Sequence, residues 1–94
     1  MPARNVLNQI KDKFEPSILR VDIPSDNRLY LYVTPGVVLD LCSYVFRDLD
    51  ARYVISIGID DRPYSGQFTV AHNFGFEREN VLCSILVNLP ADEP

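Results

Sequence analysis

The chain has 94 residues, of which 47% are hydrophobic and 23% charged, and its formal net charge is −4. This length predicts a single domain, residues 1–94, with one modest core. Its lysines and arginines form no cluster that could follow a phosphate backbone, so we expect no nucleic-acid partner. The apolar runs are well short of the ~20 residues that span a bilayer, and no signal-peptide pattern begins the chain. We therefore expect a cytoplasmic protein, peripheral to a membrane only through a partner.

The two cysteines do not indicate a metal or redox site. Cys42 and Cys83 belong to no C-x-x-C pair, and His72 is the only histidine. A structural zinc or iron–sulfur site takes about four such ligands, so we expect this chain to hold no metal and no cofactor. Each thiol falls on the apolar side of a predicted element, which favours two buried free thiols.

An amphipathic helix is predicted over residues 5–14. Its apolar face consists of Val6, Leu7, Ile10 and Phe14. The helix ends at Glu15 because the residue before a proline is pushed out of the α region.

Two alternating segments follow and predict an antiparallel hairpin. The first, SILRVDIP, stops at Pro24, and the second, RLYLYV, follows the turn-forming SDN. Alternation predicts core-facing side chains at Leu19, Val21 and Ile23 in the first strand and at Leu29, Leu31 and Val33 in the second. Tyr30 and Tyr32 then share the opposite face.

The segment TPGVVLDLCSYVFRDLD is the strongest helix signal. Thr34 suits the N-cap, and Pro35 suits the first helical position, where its missing N–H costs nothing. The predicted apolar stripe consists of Val38, Leu41, Cys42, Val45 and Leu49.

The segment DARYVISIGIDDRPYSG places an apolar strand between charged residues. Alternation predicts that Tyr53, Ile55, Ile57 and Ile59 share one side of it. The other side then carries Val54, Ser56, Gly58 and Asp60, whose mostly small side chains suggest close packing against an element such as a helix. The flanking charges at Asp50, Arg52, Asp60, Asp61 and Arg62 are interpreted as edge and turn residues around a buried strand.

Two more strands, QFTVAHNF and NVLCSILVNL, complete the chain, with the charged loop FEREN between them. The order is therefore α-β-β-α-β-β-β. We expect an α+β fold, with two helices packed on one face of a mixed, largely antiparallel sheet of about five strands.

Catalytic residues are sparse. His72, Ser56 and Asp60 would suffice for a nucleophilic triad, but no G-x-S-x-G elbow surrounds a serine, and alternation places His72 beside Val70 and Phe74. The four glycines are too dispersed for a dinucleotide or phosphate loop. These patterns favour structural roles for all three residues.

The segment Val33–Pro94 resembles the 30 kDa subunit family of respiratory NADH dehydrogenase, complex I. It is more similar still to the related small subunit or N-terminal domain found in membrane-bound nickel–iron hydrogenases of the formate hydrogenlyase type. The matching features are the V-x-P helix start at Val33, the segment LDARYVISIGIDDRP, the strand that carries His72 and Phe74, and the final ILVNLPADEP.

Two departures separate the chain from that family. Ala71 stands where the family often has a tyrosine, and the chain ends at Pro94 before the family's W-x-E-R-E motif. The letters of FEREN are similar to that motif but come too early, so its role is not carried over to Glu77, Arg78 or Glu79.

The resemblance implies a non-catalytic structural subunit or domain of a membrane-associated oxidoreductase complex. Its implied partner is the hydrogenase-like large subunit (complex I 49 kDa type), with redox centres held by neighbouring subunits and the chain on the cytoplasmic face of the membrane. Candidate partner contacts, all predicted on loops, are Asp60, Asp61, Arg62, Tyr64 and Phe76.

Two other classes of function stay open on the residues alone. One is a small hydrolase or isomerase that uses Asp60 and His72, which requires the two side chains to converge in one pocket. The other is a self-associating binding module that uses an exposed sheet edge or the face with Tyr30 and Tyr32.

Overall fold

The computed structural model describes residues 2–60 and 66–90. The two helices are α1, Pro2–Phe14, and α2, Val38–Arg47, and the five strands are β1, Ile18–Ser25, β2, Arg28–Val33, β3, Arg52–Asp60, β4, Gln67–Phe76, and β5, Val81–Pro90. Short 3₁₀ turns, Glu15–Ser17 and Pro35–Val37, precede β1 and α2. The predicted order of helices and strands is confirmed.

The five strands form one sheet in the order β1-β2-β5-β4-β3. Three neighbouring pairs are antiparallel, and β2 with β5 is parallel. A parallel pair needs a crossover connection, which here consists of α2, β3 and β4. The expected α+β fold with a mixed, largely antiparallel sheet is confirmed.

The core lies on one face of this sheet, called here the front face. Leu29 of β2, Cys83 of β5 and Phe74 of β4 are neighbours in register there, and Leu31 and Ile85 are the next such pair. Both helices cover this face, and the buried core contains Ala3, Val6, Leu7, Ile10, Leu41, Val45, Phe76 and Val81 besides those residues. The opposite face, called here the back face, carries Tyr30, Tyr32, Ala71 and Leu86.

The helix patterns of the sequence are confirmed with one exception. The α2 stripe is buried at Leu41 and Val45, and its other members pack against the core. Thr34, however, makes no side-chain capping bond. Thr34 is the N-cap of a 3₁₀ turn, Pro35–Val37, in which the Val37 N–H donates to the Thr34 carbonyl at 3.2 Å, so the predicted N-cap position is confirmed but α2 itself begins three residues later than Pro35.

The predicted inward side of β1 is wrong at two of its three residues. Leu19 is 66% exposed and Val21 36%, whereas Ile23 packs against the core as predicted, and so does Ile18. The register with β2 shifts between Ile18 and Arg20. An irregularity of this kind inserts a residue and interrupts the alternation of side chains, which a simple period of two cannot anticipate.

The interpretation of residues 53–60 as a buried strand is wrong as well. All nine residues of β3 are exposed, because β3 lies at the edge of the sheet. A register shift between Tyr53 and Ile55 places Tyr53 with Phe74 on the front face, while Ile55 pairs with Asn73 on the back face. Tyr53 therefore does not share a face with the three isoleucines.

Candidate partner-binding site

An open apolar groove of about 750 Å³ lies between α2 and strands β3 and β4. Its lining includes Leu39, Cys42 and Phe46 from the helix and Tyr53, His72 and Phe74 from the strands. Leu39 is 77% exposed and Phe46 54%, so the helix presents apolar side chains to solvent beside the core stripe. Exposed apolar side chains grouped around a concavity mark a surface suited to binding another molecule.

Two polar residues of the strand wall of the groove, Tyr53 and His72, are joined by hydrogen bonds through Ser56. The Tyr53 hydroxyl donates to Ser56 Oγ at 2.8 Å, and Ser56 Oγ lies 2.7 Å from His72 Nδ1. The register shift in β3 makes these hydrogen bonds possible because it brings Tyr53 and Ser56 to the same face. With Tyr53 donating to its oxygen, the Ser56 hydroxyl can donate to Nδ1, which corresponds to the tautomer protonated on Nε2.

The structure brings Ser56 and His72 together but places Asp60 elsewhere. Ser56 is in register with His72, whereas Asp60 is in register with Phe68, which precedes His72 by four residues on β4. At ~3.3 Å per residue this separates the backbone positions of Asp60 and His72 by roughly 13 Å along the strand. Asp60 and His72 therefore do not converge in one pocket, as the hydrolase or isomerase hypothesis requires.

The pair of Ser56 and His72 is accordingly expected to be inert as a catalyst. In a working triad a carboxylate orients the imidazole and stabilises its charged form, and Asp60 is too distant for this. We expect Ser56→Ala to change the hydrolysis of an activated aryl ester by less than about twofold, since Asp60 does not reach the imidazole to orient it or to stabilise its charged form. Initial rates of wild type, Ser56→Ala and His72→Gln provide the measurement, and an acyl-enzyme burst lost in both variants would contradict it.

Both thiols are poor nucleophiles at neutral pH. Burial raises the pKa of Cys42, on the groove wall, from 9.0 to about 11. Complete burial is the main cause that raises the pKa of Cys83 to about 12, and repulsion from the nearby Cys42 thiolate is the smaller cause. Both are free cysteines, as predicted, with Cys83 buried and Cys42 half-buried.

The predicted partner contacts are distributed unevenly. Asp60 is exposed, at the end of β3 rather than in a loop. Phe76 belongs to β4 and is only 2% exposed, so its predicted exposure in a loop is wrong. Phe76 comes two residues after Phe74 on β4, so the two side chains lie on the same face of the sheet and both enter the core. Asp61, Arg62 and Tyr64 lie outside the described residues.

The charges at and just before the start of β3 have structural partners. Arg52 Nε donates to Glu77 Oε1 at 2.7 Å, which ties β3 to the turn between β4 and β5. Arg78 in the same turn lies 4.0 Å from the Asp50 carboxylate. Asp50 also has a φ of 57°, a left-handed conformation that Asp tolerates better than most residues. These residues close loops, as the edge-and-turn interpretation predicted.

The groove itself was missed from the sequence. Leu39 and Phe46 lie outside the core stripe of α2, and these apolar residues outside the stripe were the signal in the sequence that could have indicated the groove.

Within residues 2–60 and 66–90, no three His, Cys, Asp or Glu side chains are grouped to hold a metal ion. In the same part of the chain, neither helix has the length and apolar character needed to cross a membrane.

Comparisons with known proteins find a similar sequence and a similar solved structure. No protein-family model matches the chain. Over 94 residues it is 23% identical to a subunit of the F(420)H(2) dehydrogenase of Methanosarcina mazei, and it spans 60% of that subunit.

A solved structure shows the same fold. It is that of the membrane-bound sulfane sulfur reductase (MBS), an archaeal respiratory membrane complex, and one of its chains superimposes with a TM-score of 0.70 at 13% identity. The likeness covers 98% of this chain and 52% of that one. The sequence comparison thus leads to a dehydrogenase subunit, and the fold comparison leads to a chain of a respiratory membrane complex.

Proposed function

We propose that the chain is a non-catalytic structural subunit or domain of a membrane-associated oxidoreductase complex, either an NADH:quinone oxidoreductase or a group 4 nickel–iron hydrogenase. The observation that carries the proposal is the similarity of the whole chain to one subunit of a dehydrogenase. The shared fold with a chain of a respiratory membrane complex supports it independently. In this role the chain binds the cytoplasmic face of the membrane only through its complex.

The partner in this proposal is the hydrogenase-like large subunit, and the groove beside α2 is its docking site. Leu39, Phe46 and Tyr53 are exposed around the groove, and burying them against a partner would contribute about 25 cal/mol for each Å² of apolar surface removed from water. His72 supplies a polar group within this apolar wall, an arrangement common in protein interfaces. Asp60, Asp61, Arg62 and Tyr64 remain predicted contacts at the far end of β3.

Co-purification with a tagged large subunit from the same complex tests the proposal. The wild-type chain is expected to co-purify stoichiometrically. Leu39→Lys with Phe46→Glu is expected to weaken binding at least about tenfold, because it leaves two charges without partners in an apolar interface. The affinities can be measured by titration with the purified large subunit.

Leu19→Lys is the matched control, since Leu19 is an exposed leucine on the opposite edge of the sheet, 66% exposed. Wild-type binding by this variant is the expected result. Wild-type binding by the groove variant would place the partner elsewhere, and a wild-type chain that never binds the large subunit would refute the proposed function.

A further inference from the structure

The two edges of the sheet differ in their protection against pairing with another strand. At one edge, β1 carries Pro24, an ion pair between Arg20 and Asp22, and two shifts in register. Such features discourage further strand pairing. At the other edge, β3 runs for nine residues with charges only at its ends, Arg52 and Asp60. Only β3 is therefore a suitable template.

The apolar character of β3 strengthens this contrast. Ile55, Ile57 and Ile59 are 51%, 46% and 46% exposed, and β4 is the only described element in extensive contact with β3. The three isoleucines share the back face with Ala71 of β4 and with Leu86 of β5, which is in register with Ala71. An edge strand of this kind offers backbone hydrogen bonds and an apolar surface together.

We infer that β3 pairs antiparallel with β3 of a second copy of this chain, so that two five-stranded sheets become one. The two-fold axis passes at Ile57, which lies in the regular part of the strand beyond the register shift. Ile57 then faces its own copy, and each Ile55 faces the second copy's Ile59. All six isoleucines form one ladder on the back face, whereas a slip of one residue would oppose isoleucine to Ser56 or Gly58.

Charge favours a second copy in this orientation. With the axis at Ile57, Asp60 of each strand lies opposite Val54 of the other strand and is a diagonal neighbour of its Arg52, so the acidic end of one strand lies near the basic end of the other. Residues 54–60 of the two strands then pair over a length of about 23 Å, which gives an interface at or below the lower limit for specific complexes, roughly 1,000 Å². The dimer is therefore weak and reversible.

This inference does not depend on the proposed function, and its test uses the purified chain alone. Sedimentation velocity from about 1 μM to about 1 mM covers the affinities of such small interfaces. The dimer fraction of the wild type is expected to rise with concentration. Ile57→Lys is expected to stay monomeric throughout, because it places like charges on the axis. Val21→Lys, the matched change at the β1 edge, should behave as wild type.

A disulfide tests the register. Opposite Cα atoms in an antiparallel pair lie about 4.5–5.5 Å apart, within the ~4.4–6.8 Å that a disulfide spans. Mild oxidation is expected to cross-link Ile57→Cys at least tenfold faster than Val21→Cys or the wild type, whose own thiols are buried or half-buried.

Several results would overturn the inference. These are a wild type that stays monomeric, Ile57→Lys dimers as strong as wild type, or equal cross-linking at positions 21 and 57. Dimerisation lost in Leu39→Lys but kept in Ile57→Lys would assign the interface to the groove instead. A monomeric chain whose Ile57→Lys variant no longer binds the large subunit would show that β3 pairs with that partner and not with a second copy.

Discussion

Replacing Ile85 with alanine is expected to cost about 2–5 kcal/mol in the free energy of unfolding. Ile85 is fully buried on the central strand, in register with Leu31 of β2 and His72 of β4. Truncation loses the burial of its methylene and methyl groups and leaves a cavity between the sheet and the helices. Each kcal/mol lowers the melting temperature of a domain this size by roughly 4–8 °C, so thermal unfolding followed by circular dichroism should show a large decrease.

Ile57→Ala is the matched control, because Ile57 is also a strand isoleucine but is 46% exposed. We expect a loss below about 1 kcal/mol, since solvent already reaches the side chain and little cavity forms. The unfolding is measured at micromolar protein, where the weak dimer does not form and so does not contribute to the free energy of unfolding. Equal losses at the two positions would mean that β3 is covered and that its assignment as an open edge is wrong.

Elements with an uninterrupted period could be predicted from the sequence. Helix α1 keeps its apolar residues at helical spacing, and β2 alternates strictly, so that Leu29, Leu31 and Val33 are all buried. A regular backbone determines which face each side chain occupies. Once one face is apolar, burial follows.

The errors about which side chains of a strand are buried lie mainly in the two edge strands. A register shift changes the face of the residues beyond it, and nothing in Ile18–Arg20 or Tyr53–Ile55 marks the shift locally. Edge position is also a property of the whole sheet. The isoleucines of β3 look like a buried strand by composition, and only the strand order shows that no described strand lies beyond them.

The candidate site was predictable only in part. Ser56 and His72 could be suggested as a pair from residue type, but Tyr53 joins them only because of the register shift. The groove depends on where α2 crosses β4, and the spacing of apolar residues in a helix does not determine the position of that crossing. Phe76 illustrates the opposite error, since a residue expected in a loop continues a strand into the core.

The arrangement of the fold suits an interaction module. Both helices and the core lie on the front face, which leaves three apolar surfaces partly open: the groove, the β3 edge and the isoleucines of the back face. The back-face polar groups bond to one another, as in the 2.8 Å hydrogen bond from Thr69 to Asn88 and the bond from Ser84 to Asn73. Groups that are already paired cost less to remove from water, so this face too can be covered by a partner.

Alkaline pH is expected to destabilise the domain through Cys83. Burial raises the pKa of this thiol from its ordinary value of 9.0 to about 12, so the folded state holds the proton more tightly than the unfolded state. The stabilisation is fully present below pH 9 and is lost as the pH rises towards 12. At 1.36 kcal/mol per pH unit, this one group should lower the free energy of unfolding by about 2–3 kcal/mol between pH 8 and pH 11.

Urea unfolding of wild type, Cys83→Val and Cys42→Ala across this range isolates the contribution. All three proteins carry the same other titratable side chains, so the difference in slope belongs to the thiols. Cys83→Val should be less sensitive to alkali by about 2–3 kcal/mol between pH 8 and pH 11, whatever its stability at pH 8. Cys42→Ala should change the slope less, because solvent reaches that half-buried thiol. Parallel slopes for wild type and Cys83→Val would mean that water enters the core beside β5, contrary to the packing described.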